Sequence, residues 1–211
     1  MEQGRGEGRS EATRRRLMEA AEAVFAEKGL SGARVDEIAA ESGVNKRMIY
    51  AYFGSKEGLY MAVLEAVYAR LGQCEAASGL ENLEEEAAIA ALVEAYFRFL
   101  AENDSYVRMV MWENLHRGKF MDAKNLHQVR DPMRRAMSQL IARGKASGRF
   151  RAGADEEQAL LSLFALTFNY FSNRHTLSRV MHKDLMDEGE KRRRIAAITA
   201  MLLADLKEEV T

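Results

Sequence analysis

Apolar residues recur along most of the chain at spacings of three and four residues, the period at which side chains share one face of an α-helix. The pattern first holds over residues 11–28 and stops at Gly29, and glycine commonly ends helices because it tolerates positive φ. Residues 1–10 carry charges and glycines but no core-forming side chain beyond Met1, so we expect a flexible arm there. The apolar positions of the first helix are Leu17, Ala20, Ala21, Val24 and Phe25.

The same pattern predicts that the rest of the chain is helical. Two short apolar-periodic pieces, 35–42 and 46–53, precede a strongly striped helix at 55–72 that ends at Gly72. Beyond a loop at 73–83 the predicted helices lengthen. They cover 84–102, 104–116, 124–147, 155–179 and 191–207.

Capping residues and glycines mark several of these boundaries. Pro132 lies within 124–147, and because proline has no amide proton, that helix either kinks there or begins there. The pattern leaves both alternatives open. The expected N-caps are Ser55, Asp104 and Asp155, and the expected stops are Gly118, Gly148 and Gly189.

Composition agrees with an all-α globular fold. Hydrophobic residues make up 47% of the 211 positions and charged residues 30%, and there is one proline. The chain is therefore able to bury a core without disulfides, and its single cysteine, Cys74, has no partner for an internal bridge. Since no apolar run is long enough to span a bilayer, we expect a reduced, cytoplasmic protein outside the membrane.

Charge is informative only locally. The net charge of −1 says nothing about nucleic acid, but the window 42–56 contains Lys46, Arg47 and Lys56 and no acidic residue. This is a small basic patch, the kind of feature by which DNA-binding surfaces are recognised.

The basic patch lies in a segment with the features of a helix-turn-helix, VDEIAAESGVNKRMIYAYFGSKEGLY (35–60). Two short helices cross closely around a tight turn only if the contact residue is small and the turn residue accepts positive φ. Ala39 and Gly43 meet those two requirements. The apolar side chains that would clamp the helices together are Ile38, Val44 and Ile49.

The second helix of this motif would lie in the major groove of DNA. Its outer face presents side chains able to reach base edges or phosphates, namely Asn45, Lys46, Arg47 and Tyr50, with Arg34 and Lys56 at the flanks. The alternative is a pair of crossing helices in an all-α enzyme, with the basic side chains merely solvated.

Residues 12–72 resemble the DNA-binding domain of the tetracycline-repressor (TetR) family, most clearly in the run IAAESGVNKRMIYAYFGSKEGLY. The resemblance implies a homodimeric one-component transcription regulator, usually a repressor. It also implies phosphate contacts by Tyr50 and Lys56 and a recognition-helix role for Lys46 and Arg47. Two positions depart from the family pattern: Arg34 replaces a common capping Ser or Thr, and Ala51 replaces a larger polar residue.

Other arginines near the N-terminus are possible DNA contacts. Arg5 and Arg9 lie in the predicted arm, where a non-contributing tail is the alternative, and the triplet 14–16 opens the first helix. Two copies of a DNA-binding module distinguish DNA sequences better than one copy does. We therefore expect a symmetric dimer on a palindromic DNA site, with half-site centres about 34–36 Å apart.

The apolar pattern of the larger C-terminal part predicts where the dimer interface lies. The segment ALLSLFALTFNYF (159–171) is apolar almost all round, so one face would pack on its own domain and the other on a partner. The last helix, 191–207, has a similarly wide stripe. Two such helices from each chain would form a four-helix interface, whereas a larger monomeric core is the alternative.

The same part would hold a small-molecule effector of unknown identity. An effector cavity needs apolar and aromatic walls with a few polar groups. An aromatic stripe at helical spacing is also typical of an ordinary core. The candidate lining residues are Tyr106, Met109, Trp112, Phe168, Asn169 and Phe171.

The sequence therefore predicts an all-α protein with an N-terminal three-helix DNA-binding domain and a larger helical ligand-binding and dimerisation domain. The boundaries are an arm at 1–10, the helix-turn-helix domain at 11–54, a connecting helix at 55–72 and the larger domain at 73–211. No catalytic set, metal site or cofactor is predicted, because the histidines are scattered. A ligand-independent architectural DNA binder and an all-α enzyme remain the alternatives.

Overall fold

The computed structural model describes residues 2–76, 79–121 and 132–207. Every regular element in these ranges is helical, which confirms the all-α fold class. The helices are α1 (Glu2–Gly32), α2 (Val35–Ser42), α3 (Lys46–Phe53), α4 (Lys56–Ala76), α5 (Glu85–Glu102), α6 (Asp104–Leu115), α7 (Pro132–Ala146), α8 (Glu156–Ser172), α9 (Arg174–Val180) and α10 (Glu188–Lys207), with a 3-10 turn at Leu80–Asn82.

The first helix is longer than its apolar pattern. It begins at Glu2, so residues 2–10 are helical where we expected a flexible arm, and it continues past a kink at Gly29 to Gly32. A helix that is already nucleated gains one hydrogen bond for each residue added, so polar residues extend it at low cost. The Ser10 hydroxyl also lies 2.9 Å from the Tyr52 hydroxyl, a contact that holds the added turns.

Several predicted boundaries agree with the structure. Ser55 caps α4, its Oγ accepting from the Gly58 amide at 3.0 Å, and Asp155 caps α8 by accepting from the amides of Glu157 and Gln158. Gly118 and Gly148 both adopt positive φ just beyond helices.

Other boundaries differ. The predicted helix 155–179 is two helices, because the Asn173 side chain bonds the Asn169 carbonyl and the Ser172 hydroxyl where the helix would continue. Asp104 is the first residue of α6 and pairs with Arg174 at 2.7 Å, while Gly189 lies in the first turn of α10. The described helix around Pro132 begins at that proline, and residues 122–131 lie outside the described ranges.

The chain divides into two compact units. The first unit comprises the described residues of Met1–Ala69 and Arg108–Val129, and the second those of Arg70–Val107 and Arg130–Thr211. The predicted boundary at residue 73 therefore differs from the structure, because residues 108–121 pack with the N-terminal helices.

Two contacts explain why the end of α6 belongs to the first unit. The Trp112 indole lies so close to Gly29 that a Cβ there would be 2.7 Å from the ring, and Trp112 Nε1 donates to the Ala26 carbonyl at 3.2 Å. In addition, the Tyr60 hydroxyl donates to the buried carboxylate of Glu113 at 2.7 Å. The core of this unit also contains an edge-on pair of Phe25 and Tyr60, 5.1 Å between ring centroids.

The second unit is a helical bundle of α5, α7, α8 and α10. Its centre is aromatic, with Phe97 4.7 Å from Phe171 and 5.2 Å from Tyr170 between ring centroids. One face of α8 is buried in this core, but the opposite face is not, and Leu161 there is 59% exposed. In the described part of the chain, no helix combines the length and apolarity needed to cross a membrane.

A substitution at Gly58 tests the close approach between the end of α3 and the start of α4. A Cβ at this position would lie 2.1 Å from the Phe53 carbonyl oxygen, so we expect Gly58→Ala to lower the free energy of unfolding by about 1–3 kcal/mol. The matched control is Gly8→Ala, a helical glycine with open space around its Cβ position. Equal denaturant midpoints for the two variants would contradict this packing.

Candidate nucleic-acid interface

The turn between α2 and α3 requires glycine for two reasons. Gly43 has φ 61° and ψ 25°, in the left-handed region, and its amide and that of Val44 donate to the carbonyls of Ala40 and Ala39, both at 3.2 Å. A Cβ at Gly43 would also lie 2.8 Å from the Arg16 guanidinium. The predicted turn residue is thus held by backbone conformation and by a neighbouring side chain.

The first helix clamps this turn. The Arg16 guanidinium donates to the carbonyl of Ser42, a residue that is only 6% exposed. Between the two helices, Ile38 and Ile49 are fully buried, whereas Val44 is half-buried. Two of the three predicted apolar clamps therefore lie in the core, and α3 is held in one orientation relative to α1 and α2.

Asn45 begins the predicted recognition helix. It is the N-cap of α3, and its Oδ1 accepts from the Arg47 amide at 2.9 Å. This bond satisfies one of the amides left unpaired at a helix start. The structure thus assigns Asn45 a capping role, and its contact with DNA stays a prediction.

The outer face of α3 carries the side chains predicted to meet DNA. Tyr50 is 51% exposed, and Arg47 is exposed with no side-chain hydrogen bond or ion pair among the described residues. Ile49 lies on the opposite, buried face. The geometry leaves the Arg47 guanidinium and the Tyr50 hydroxyl available to an external partner.

Lys46 is exposed but already has a partner. Its Nζ lies 2.8 Å from Asp36 Oδ1, and both side chains are more than half exposed. This hydrogen bond raises the pKa of Lys46 above its usual value. The sequence did not predict this ion pair. Asp36 lies outside the acid-free window 42–56, and it approaches Lys46 only because the turn brings α2 and α3 together.

The two flanking residues differ from each other. Lys56 is half-buried, and its Nζ donates to the carbonyls of Leu30 at 2.8 Å and Ala33 at 3.2 Å, which close the C-terminal end of α1. A cation is favourable at that end of a helix. Arg34 is exposed at the N-cap position of α2 and makes no capping bond, in line with its departure from the family pattern.

The three arginines at 14–16 contact other residues of the first unit. Arg16 holds the turn, the Arg14 guanidinium lies 5.5 Å from the centre of the Phe53 ring, and exposed Arg15 faces Glu19 at 3.7 Å. The side chain of Arg5 lies outside the described residues.

The predicted effector-lining residues are distributed over both units. Tyr106 packs edge-on against Phe99 in the second unit, 5.0 Å between centroids, and Phe171 lies in the aromatic core of that unit. Met109 is fully buried and Trp112 packs on α1, both in the first unit. Phe168 is half-buried, and Asn169, expected to need a partner if buried, is exposed.

Two family profiles match this chain. The one described as "Bacterial regulatory proteins, tetR family" matches residues 17–63, which include α2, the turn and α3. The one described as "Tetracyclin repressor-like, C-terminal domain" matches residues 86–202.

Named relatives agree with these profiles. The chain is 34% identical over 199 residues to the HTH-type transcriptional repressor NicS of Pseudomonas putida, covering 94% of each protein. It is 35% identical over 108 residues to the HTH-type transcriptional repressor SCO4008 of Streptomyces coelicolor, covering 51% of this chain and 53% of that protein.

Solved structures share the fold. The fatty acid degradation regulator FadR of Bacillus halodurans superposes with a TM-score of 0.72 at 22% identity, covering 93% of this chain and 97% of that one. FadR of Bacillus subtilis, solved in complex with stearoyl-CoA, has a TM-score of 0.70 at 17% identity, covering 90% and 97%. The expected resemblance is confirmed: the chain belongs to the tetracycline-repressor (TetR) family of bacterial DNA-binding transcription regulators.

Proposed function

We propose that this regulator is a repressor that binds a palindromic operator as a homodimer in the bacterial cytoplasm and is released by a small-molecule effector. The observation that carries the proposal is the outer face of α3, where Arg47 and Tyr50 are exposed on a helix whose orientation is set by the Gly43 turn. The name of the relative NicS supports the sign of regulation.

On DNA, the exposed side chains divide between two tasks. The forked guanidinium of Arg47 suits bidentate recognition of a guanine edge, and the Tyr50 hydroxyl suits a phosphate. Lys46 reaches DNA by exchanging Asp36 for a phosphate, an exchange between exposed ion pairs that costs little. Because Lys56 closes the end of α1, we expect it to position the domain as well as to face the backbone of DNA.

Dimerisation is supported by the uncovered face of the second unit. Helices α8 and α10 pack against each other, and each exposes a large apolar side chain, Leu161 at 59% and Met201 at 52%. A second copy of the same two helices would remove these side chains from water in a four-helix interface. Two recognition helices would then read the two halves of one operator.

Effector release requires a ligand that prefers a conformation unsuited to DNA. Within the first unit, α6 is joined to α4 by the Tyr60 hydroxyl and the Glu113 carboxylate, and burial together with this bond raises the pKa of Tyr60. Movement of α6 would be passed to α4, whose first residue is Lys56.

Selection of bound sequences from random duplex DNA tests the proposal without knowledge of the operator. We expect the enriched sequences to be palindromic, with half-site centres about 10–10.5 base pairs, or one helical turn, apart or at a multiple of that spacing. Enrichment of no sequence, or of a single unpaired half-site, would overturn it.

Arg47 should account for base preference. Arg47→Ala is expected to reduce discrimination at one base position of each half-site by about 1–3 kcal/mol, with a smaller loss of non-specific binding. Competition binding against single-base operator variants measures this. The matched control is Arg98→Ala, an exposed helical arginine paired with Glu94 in the second unit, and it should leave discrimination unchanged.

Asp36 should weaken DNA binding by its charge. Asp36→Asn removes a carboxylate from the DNA-facing surface and frees Lys46, so we expect tighter binding to all sequences at low salt and a gain that shrinks as salt rises. Glu94→Gln, which frees Arg98 in the same way, is the control. Equal affinity of Asp36→Asn and the unmodified protein at low salt would contradict the proposed orientation of α3.

Leu161 should be required for the dimer. Leu161→Glu places a charge on the exposed apolar face of α8, so sedimentation should show a monomer that keeps its helix content. Leu115→Glu, at a 72% exposed leucine of the first unit, should stay dimeric. A dimer that survives Leu161→Glu would exclude this face as the interface.

A further inference from the structure

The N-terminal part of α1 packs against α3. Helix α1 begins at Glu2, and the hydroxyl oxygen of Ser10 lies 2.9 Å from that of Tyr52 on α3. The Tyr52 hydroxyl also lies 3.3 Å from the Ser10 carbonyl oxygen. One turn further along α1, the Arg14 guanidinium lies 5.5 Å from the centre of the Phe53 ring. The segment that the sequence predicted to be a flexible arm therefore ends beside the C-terminal turn of α3.

Arg9 is held next to this contact. It precedes Ser10 in the same helix, and its carbonyl accepts from the Thr13 hydroxyl at 2.8 Å. The Arg9 side chain is exposed, and its guanidinium has neither a hydrogen bond nor an ion pair among the residues that the structure describes. The guanidinium is therefore available to an external partner.

The direction of the Arg9 side chain follows from the helical repeat. Arg9 and Arg16 are separated by nearly two full turns, so both lie on one stripe of α1, about 10 Å apart along the helix axis. The Arg16 guanidinium on this stripe donates to the Ser42 carbonyl, at the turn that precedes α3. Arg9 therefore extends from the side of α1 that meets the helix-turn-helix.

None of the helical neighbours of Arg9 is acidic. Residues three and four positions apart are neighbours on a helix, whereas residues two apart, such as Arg9 and Glu11, do not face each other. The neighbours of Arg9 at the first two spacings are Arg5, Gly6, Ala12 and Thr13. Helix α3, against which this part of α1 packs, contains no acidic residue either. The charge of Arg9 is therefore not paired by α1 or α3.

The size of α3 determines what lies beside it on DNA. An α-helix with its side chains is about 10–12 Å across and the major groove is about 12 Å wide, so a helix such as α3 fills the groove that it enters. The two sugar-phosphate backbones border the groove. A side chain that extends beside α3, as that of Arg9 does, then meets a phosphate and not a base edge.

We propose that Arg9 is a further DNA-binding residue of this chain and contacts a backbone phosphate beside each half-site. This inference rests on the proposed insertion of α3 into the major groove. Phosphate contacts fix the register of a protein on DNA and carry no direct sequence information. Arg9 therefore adds affinity for any duplex, whereas Arg47 supplies base preference.

The salt dependence of DNA binding tests this contact. Each neutralised phosphate contributes about 0.9 to the slope of log affinity against log salt concentration, so a dimer with Arg9→Gln should lose about 1.8 from the slope. Between about 50 and 200 mM salt, the affinity of the unmodified protein should then fall about tenfold more than that of the variant. Fluorescence anisotropy measures both slopes, on a random-sequence duplex and on the selected operator.

The matched control is Arg98→Gln, which removes the same charge from an exposed helical arginine of the second unit and should keep the slope. The random-sequence duplex separates this inference from the proposed function. A reduced slope of Arg9→Gln on that duplex supports the phosphate contact even if no palindrome is selected. An unchanged slope on both duplexes overturns the contact and leaves a selected palindrome standing.

A double-mutant cycle tests whether the packing against α3 places Arg9. Tyr52→Phe removes the hydroxyl that meets Ser10 and keeps the ring, and Ser10→Ala removes the same contact from the other side. Each should weaken DNA binding several-fold in the unmodified protein but little in the Arg9→Gln background, because residues that act through one contact are not additive. Circular dichroism reports the fold of each variant.

Four results would overturn the proposal. These are an unchanged salt slope in Arg9→Gln, the same change in Arg98→Gln, a loss of affinity confined to operator DNA, and a loss from Tyr52→Phe that is as large without Arg9 as with it. A slope that falls on both duplexes in Arg9→Gln alone, together with non-additive losses in the cycle, supports it.

Discussion

The DNA-binding unit depends on the contact of Arg16 with the turn at Gly43. The guanidinium occupies the space that any other residue at the turn would fill, and it donates to the last carbonyl of α2. Because this contact joins α1 to the turn itself, the direction of α3 follows from the position of α1. The exposure of Arg47 and Tyr50 is a consequence of that geometry.

Several basic residues at this surface serve the fold as well as the proposed interface. Lys56 closes the end of α1 through two backbone carbonyls, and Lys46 is held by Asp36. A count of basic residues therefore overstates the charge that is free to meet DNA. Among the described residues the Arg47 guanidinium has no side-chain partner, which supports its proposed role in base recognition.

The helix-turn-helix could be predicted from sequence because its determinants are local. The positive φ of Gly43, the cap at Asn45 and the buried pair Ile38 and Ile49 all lie within a dozen residues, and the observed bounds of α2 and α3 match the predicted ones. The resemblance to the family was carried by this same stretch.

Contacts between distant parts of the chain could not be predicted in this way. Trp112 donates to Ala26 across 86 positions, and nothing in the periodicity of α6 distinguishes a residue that packs on α1 from one that lines a cavity. The apolar pattern predicted the helices but not the contacts between residues that are distant in the sequence.

Two copies of α3, each fixed by its turn, are proposed to face DNA one helical turn apart. The most direct test is a pulsed electron spin resonance distance between spin labels at Ala51→Cys, an exposed position on α3, with the single native cysteine replaced by Cys74→Ser. On operator DNA we expect one narrow distribution of distances near 34–36 Å, allowing for the length of the labels. No dipolar coupling, or a broad distribution unchanged by DNA, would contradict it.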